Sequence, residues 1–593
     1  MLPPPELDDL TPFPSKTSLA TPSRRSSAGI QPRDRVVSIA SSTTETPYSA
    51  GAGSRIPSLT DQFHLGPDPR LWGTDLSPDS KEPDDDLHDP EYDSPSGCIS
   101  RGVDSRCINL GCLFVLMFVF ISLFAGFPVF SFLTRHKMST NGGFNLGGIN
   151  ASGQVPEIYG FRSLIDVDTP KDSYTKPSWN GGPEMELVFS DEFNVPGRTF
   201  WPGDDPYWEA VDLHYWETNN LEWYSPEALV TKDGYLQVTL SRKNTHNLSY
   251  QGGMMSTWNK FCFTGGYIEA NVSLPGVPNV MGFWPAIWTM GNLGRAGYGA
   301  SLEGMWPYTY DACDVGTVAN QTINGQPVAA TVNGDAGKGG VLSWLPGQKL
   351  SRCTCKDEFH PGPVHSDGTY VGRSAPEIDM FEAQISSDFV GQVSQSAQWA
   401  PFNAGYLWKN TSLNEIIRDP TISTHNTYIG SVLQQATSVV TTTDQNCYEG
   451  TSRCFSIYGF EYVPGFDNAY ITWISNNQVS WTLNVAGMGA DSAVQISARP
   501  VPQEPMYVIL DLGMSTNFGP VDLDNLPFPA HMRVDYIRVY QPKNSRNIGC
   551  DPKDFPTSKY INSYLEAYTN PNLTTWRGDF GRPFPKNSFL GQC

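Results

Sequence analysis

The chain has 593 residues, with 61 acidic against 39 basic side chains and a formal net charge of −22. The acidic excess appears on both sides of one long apolar run, and no basic stripe interrupts it, which argues against nucleic acid or anionic lipid as the main partner. The length leaves room for more than one domain, and the apolar content is unevenly spread.

Residues 1–106 contain no Asn, few large apolar residues and many Pro, Ser, Thr and Asp. Such a stretch cannot bury enough apolar surface to offset its chain entropy, so a disordered cytoplasmic tail is predicted. Its run Glu82-Pro83-Asp84-Asp85-Asp86 reads as a solvating segment, and Arg24-Arg25-Ser26-Ser27 as either a kinase site or an accidental short match. Residues 107–134 are predicted to cross a membrane once. From Ile108 to Thr134 there is no charged residue in 27 positions, and about 20 apolar residues span a bilayer core. With over a hundred residues before it, the run reads as an uncleaved signal anchor and not a signal peptide.

Arg101 and Arg106 on one flank balance Arg135 and Lys137 on the other, so charge does not orient the span. Glycosylation sequons do. Asn150, Asn247, Asn271, Asn320, Asn410 and Asn572 each open an Asn-x-Ser/Thr triplet, and all six follow the span. A type II topology with a lumenal or extracellular C-terminal part is predicted. The eight cysteines after the span are an even number suited to disulfides in an oxidising lumen, with connectivity open. Cys98, Cys107 and Cys112 border the cytoplasmic side and are either palmitoylation sites or inert thiols.

Residues 135–185, rich in Gly, Ser, Asn and Pro, read as a stem. Over 186–545, short β-type runs such as Tyr235–Leu240 and Tyr267–Val272 alternate with Gly/Pro/Asn turns, and helical periodicity is scarce. An all-β sandwich is predicted. Two long insertions, between Trp288 and Glu377 and over 402–455, carry Cys313, Cys353, Cys355, Cys447 and Cys454 as candidate cross-links. Residues 546–593 extend beyond the last strand to Cys593, which would strap the tail to the body. Cys353-Thr354-Cys355 has neither zinc-site nor Cys-x-x-Cys spacing, and no metal or other cofactor is expected.

Within this body Glu377-Ile378-Asp379-Met380-Phe381-Glu382 sets three carboxylates in a short, otherwise apolar strand. Alternation puts Glu377 and Asp379 on one face and Glu382 on the other. A β-bulge at Met380-Phe381 would bring Glu382 back to join them. The outer pair is then roughly 13 Å apart at Cα, a gap that inward-leaning side chains can close to the ~5–5.5 Å of a retaining glycosidase pair. A solvated acidic face is the bland alternative, but three like charges on one face destabilise a sheet unless something is gained. Their crowding also separates protonation states, as glycosidic-bond chemistry requires.

The motif resembles the active-site strand of glycoside hydrolase family 16, in its bulged subgroup with the β-1,3-glucan hydrolases. Leu187–Phe193 resembles that family's opening strand, Asp233-Gly234-Tyr235-Leu236 its early hairpin, Phe283–Trp288 its cleft strand and Arg533–Tyr540 its closing strand. With the anchor, and with Trp306–Asp314 and Ala400-Pro401-Phe402-Asn403, the chain is similar to one branch, the fungal β-glucan synthesis-associated membrane proteins needed for cell-wall β-1,6-glucan. The resemblance covers roughly residues 145–593.

It implies a concanavalin-like jelly roll with a β-glucan polysaccharide as partner. Glu377 would be the nucleophile, Glu382 the acid/base, and Asp379 the group that hydrogen-bonds Glu377 and tunes both. Water resolving the glycosyl-enzyme gives hydrolysis and a sugar hydroxyl gives transglycosylation. Trp284 and Trp288 resemble cleft aromatics, and Trp223 with Asn220 lies in a segment like the family's substrate-side Asn-Asn-Glu loop. Two departures are visible: Ala375-Pro376 precede Glu377 where Gly-Glu is common, and Ser394–Trp399 replaces a His-containing strand. The competing reading is a non-catalytic glucan-binding scaffold. A plain β-1,3-glucanase fits the anchor and tail less well.

Overall fold

A computed structural model describes residues 105–127, 129–130 and 164–593. The predicted tail up to Asp104, Cys98, Asn150 and most of the predicted stem lie outside the described residues.

In the apolar run, an α-helix covers Ser105–Ile121 and a π-helical turn follows over Ser122–Gly126. Among the described residues no helix is long and apolar enough to cross a membrane by itself. The expected single long helix is not found: the α-helix gives way to the π-helical turn after Ile121. From Leu113 to Phe130 the described large apolar side chains are exposed.

Residues 164–593 fold around two β-sheets, as the alternating runs predicted. In the first sheet the opening strand Met185–Asp191 pairs with the closing strand Ala530–Pro542, followed in order by Gly266–Ser273, Ser456–Val463, Tyr470–Ser475 and Gln478–Asn484. The second runs Gln434–Thr442, Gly391–Trp399, Glu377–Ile385, Trp284–Gly291, Met506–Gly513 and Tyr250–Ser256, and ends in the short strands Glu222–Tyr224 and Leu213–His214. Pairing is antiparallel except between Glu222–Tyr224 and Tyr250–Ser256. Between the sheets lies one apolar core, where Phe189, Ile268, Met380, Phe381, Val393, Trp473, Trp481, Leu510 and Ile537 are all 0% exposed. Removing such side chains from water is the main driving term of the fold.

A second apolar cluster sits on the other face of the second sheet. There Trp288, Met290, Tyr507 and Ile509 meet Tyr560, Ile561, Tyr568 and Trp576 of the C-terminal extension. Disulfides Cys262–Cys550 and Cys355–Cys593 tie that extension to the body, as expected for Cys593. Cys313–Cys353 and Cys447–Cys454 lie within the two insertions, so all eight cysteines after the apolar run are bridged.

Candidate active site

The strand Glu377–Ile385 carries its bulge where the sequence called for one. On one side Trp288 pairs with Asp379 and Ile287 with Phe381, leaving Met380 unopposed. On the other, Ser396 pairs with Asp379 and Ser394 with Glu382, so Met380 and Phe381 together face the single residue Gln395. Ile378, Met380 and Phe381 all point into the core. Glu377, Asp379 and Glu382 share the opposite face.

A bulge breaks the ladder and strands backbone carbonyls that burial makes costly. Both are met from between the sheets. The Trp473 indole donates to the Asp379 carbonyl at 2.8 Å, and the Gln395 amide donates to those of Met380 at 3.1 Å and Ile474 at 2.9 Å. Ser480 in turn donates to Gln395 Oε1 at 2.6 Å, which holds the amide in that orientation.

Each carboxylate has its own donors. Trp306 Nε1 donates to Glu377 Oε2 at 2.5 Å, and Trp284 Nε1 to Glu382 Oε1 at 3.1 Å. Asp379 Oδ2 accepts from Ser396 Oγ at 2.6 Å and Gln398 Nε2 at 3.0 Å. These residues belong to the strand that departs from the family's His-containing pattern, so its hydroxyl and amide groups hold the central carboxylate. Burial first, then the neighbouring carboxylates, raise Glu377 and Glu382 well above the usual carboxylate range. Asp379 is raised by burial and drawn back by its donors Ser396 and Gln398 and by a hydrogen bond with Glu377. The cluster therefore retains protons at pH values where isolated carboxylates have none, the condition for one member to act as acid beside an ionised neighbour.

Asp511, on the next strand but one, faces the same space. It accepts from Trp288 Nε1 at 2.7 Å and from the Tyr224 hydroxyl at 3.2 Å, and burial pushes it up to about 7. Tyr215 is half-buried beside this space, and burial first, then the carboxylates of Glu217, Glu377 and Asp511, raises its hydroxyl well above the ordinary tyrosine range.

Residues 74–593 match the family described as Beta-glucan synthesis-associated protein SKN1/KRE6/Sbg1. The chain is 41% identical over 527 residues to Beta-glucan synthesis-associated protein SKN1 of Candida albicans, covering 87% of this chain and 67% of that protein. It is 39% identical over 584 residues to KRE6 of Saccharomyces cerevisiae, covering 91% and 77%. The chain belongs to the SKN1/KRE6/Sbg1 family. Among solved structures, it is similar to the catalytic domain of an endo-1,3-beta-glucanase (laminarinase) from Thermotoga petrophila at 18% identity and a TM-score of 0.35, covering 61% of this chain and 100% of that one.

The other residues singled out in this family member are placed unequally. Trp284 is half-buried, stacked on Phe518 at 4.1 Å, with its indole edge on Glu382. Trp288 is 8% exposed and forms floor, not an open platform. Asn220 is buried, its amide spent on Glu222 at 2.6 Å and the Tyr224 hydroxyl at 3.1 Å. Trp223 is not brought to the trio. On its short strand Glu222 and Tyr224 share the face of Asp511 and Gly513, and Trp223 turns the other way to stack on His246 and donate to Asp212.

Of the sequon asparagines, Asn247, Asn320, Asn410 and Asn572 are exposed. Asn271 is half-buried mid-strand, and its amide donates to Asp535 at 3.1 Å. Asp444, Cys447 and Cys454 bring three ligand-type atoms together, but both sulfurs are spent in a disulfide. Sequence reasoning missed chemical roles for Trp306, Asp511 and Gln395. Asp511 had a signal, as the single charge in the apolar run Met506–Gly513. Trp306 had none beyond the likeness of its segment.

Proposed function

We propose that the protein is a membrane-anchored retaining glycosidase or transglycosylase acting on β-glucan in assembly of the fungal cell wall, with β-1,6-glucan as the polymer served. One observation carries the reading: the bulge turns Glu377, Asp379 and Glu382 onto one face, with indole, hydroxyl and amide donors on each. In this reading Glu377 attacks the anomeric carbon while Glu382 protonates the departing oxygen. The C1–oxygen bond breaks as the Glu377 ester forms. Glu382, now ionised, takes the proton of the incoming hydroxyl, and Glu377 leaves as carboxylate.

The exposed apolar side chains from Leu113 to Phe130 have no favourable place in water and support a bilayer anchor. A type II topology then puts the cysteine-bridged body, with glycans on the exposed sequons, in the lumen or outside the cell. The test incubates the full chain in detergent with defined β-1,3- and β-1,6-gluco-oligosaccharides and reads product lengths by mass spectrometry. Products longer than the donor support transfer, and shorter ones alone support hydrolysis. An unchanged donor with retained glucan binding would replace this reading with the scaffold.

A further inference from the structure

Trp306 reaches Glu377 from 71 residues away in sequence, and it stands on the long insertion, not on a strand of either sheet. The turn that carries it is gripped from several sides. Ala300 N–H donates to the Leu573 carbonyl at 2.9 Å, and Lys349 N–H to the Gly304 carbonyl at 2.7 Å. The Arg577 guanidinium donates to Glu303 Oε1 from Nε at 3.0 Å and from Nη2 at 2.8 Å. Gly304 has φ +77°, and a Cβ there would lie 2.6 Å from the Phe584 ring, so that position admits no side chain. Ala375 N–H donates to the Met305 carbonyl at 3.0 Å and joins the turn to the residues just before Glu377.

Leu573, Arg577 and Phe584 all belong to the C-terminal extension. So do Trp576 and Tyr560, which cover Lys349. Its Nζ lies 3.6 Å from the Trp576 ring centroid without a hydrogen-bond partner, and burial lowers the amine to about 7. The extension is held by two disulfides, at Cys550 and Cys593.

We propose that Trp306 is a positioning residue for the nucleophile Glu377, and that the C-terminal extension serves the reaction by clamping the turn that presents the Trp306 indole. The proposal rests on the reading of Glu377 as nucleophile. A carboxylate swings freely about its last bond, and one fixed N–H on Oε2 sets its plane relative to the sugar. The same bond favours the ionised form, offsetting part of the burial and carboxylate repulsion that raise Glu377. When the glycosyl ester forms, the charge is lost, so the indole supports the carboxylate before attack and as leaving group in the second step.

The experiment compares full-chain wild type, Trp306→Phe and Arg577→Met in detergent, using an aryl β-glucoside oligosaccharide donor between pH 4 and 8. Phe keeps the ring and removes only the N–H. Trp306→Phe is expected to lower kcat about 10- to 100-fold with KM within about twofold, and to move the acidic limb of kcat/KM to higher pH. Arg577→Met, at the exposed side of the clamp, is expected to move kcat and the acidic limb the same way by a smaller factor. It carries the test if Trp306→Phe does not accumulate. Wild-type kcat and pH profile in either folded variant would overturn the proposal. A wild type without turnover would overturn the nucleophile reading and this proposal with it, whereas an active wild type matched by Trp306→Phe overturns this proposal alone.

Discussion

The three carboxylates are expected to differ in kind when changed one at a time. Glu377→Gln keeps shape and removes the attacking oxygen, so transfer should fall below detection with little loss of fold. Glu382→Gln should be severe with a natural glucan donor and partly restored by a donor with a good leaving group, which needs less acid assistance. Asp379→Asn should fall between them, because it alters protonation without deleting a reacting atom. Steady-state rates on natural and activated donors check all three, and equal losses in every variant would point to an acidic face without catalytic roles. Asp511 offers a test through stability. Its pKa is raised from the ordinary 3.8 to about 7 by burial, so the folded state holds a proton that the unfolded chain releases. That contribution is complete below about pH 4 and is lost as pH rises towards 7, at up to ~1.4 kcal/mol per pH unit. Glu222, raised to about 8 by burial, acts in the same direction. The melting temperature should therefore fall between pH 5 and 8. Asp511→Asn, which still accepts from Trp288 and can donate to Tyr224, should lessen that fall. An unchanged slope in the variant would contradict the assignment.

At the scale of elements, the bulge is the feature on which the site depends, and Gln395 is its buried support. Gln395→Leu leaves the Met380 and Ile474 carbonyls without partners, at about 1–3 kcal/mol each. A thermal shift of that order, with loss of any transfer activity, is expected; a silent substitution would show that the bulge holds itself. The bulge was legible because a strand with carboxylates at both parities and apolar residues between has only one way to keep its charges on one face. The even cysteine count foretold bridging. Pairing was not legible, because partners such as Cys355 and Cys593, 238 residues apart, meet only through the tertiary fold. Replacing both with Ser should cost about 2–5 kcal/mol and open Arg582 and Lys586 to trypsin, and undiminished resistance would show that the strap is dispensable. Asn220 and Trp223 were assigned together to the substrate side, but they have opposite parity, and only the fold shows that Tyr224 and Glu222, with Asn220, take the face of Asp511 while Trp223 takes the other. Trp306 stayed hidden for the reason that hides the disulfide pairs. Its partner is distant in sequence, and no local pattern encodes the contact.

In the whole molecule an exposed apolar helical run precedes a two-sheet body in sequence, and Glu377, the proposed nucleophile, accepts from Trp306 on a turn that the C-terminal extension contacts. Topology has its own measurement. Protease added to intact microsomes should remove the segment before Arg106 and leave a glycosylated body, whereas a protected N-terminal tail would reverse the orientation. The helix break after Ile121 was not legible from hydropathy, which registers apolar length and not hydrogen-bond register. The central claim, covalent catalysis by Glu377, is tested most directly by trapping. The full chain in detergent is incubated with a 2-deoxy-2-fluoro gluco-oligosaccharide donor bearing a good leaving group, which slows the second step so that the ester accumulates, and is then digested and sequenced by mass spectrometry. One 2-deoxy-2-fluoro-oligosaccharyl group, the donor less its leaving group, is expected on the peptide containing Glu377 and absent in Glu377→Gln. An unlabelled protein, or a label on any other residue, would contradict the claim.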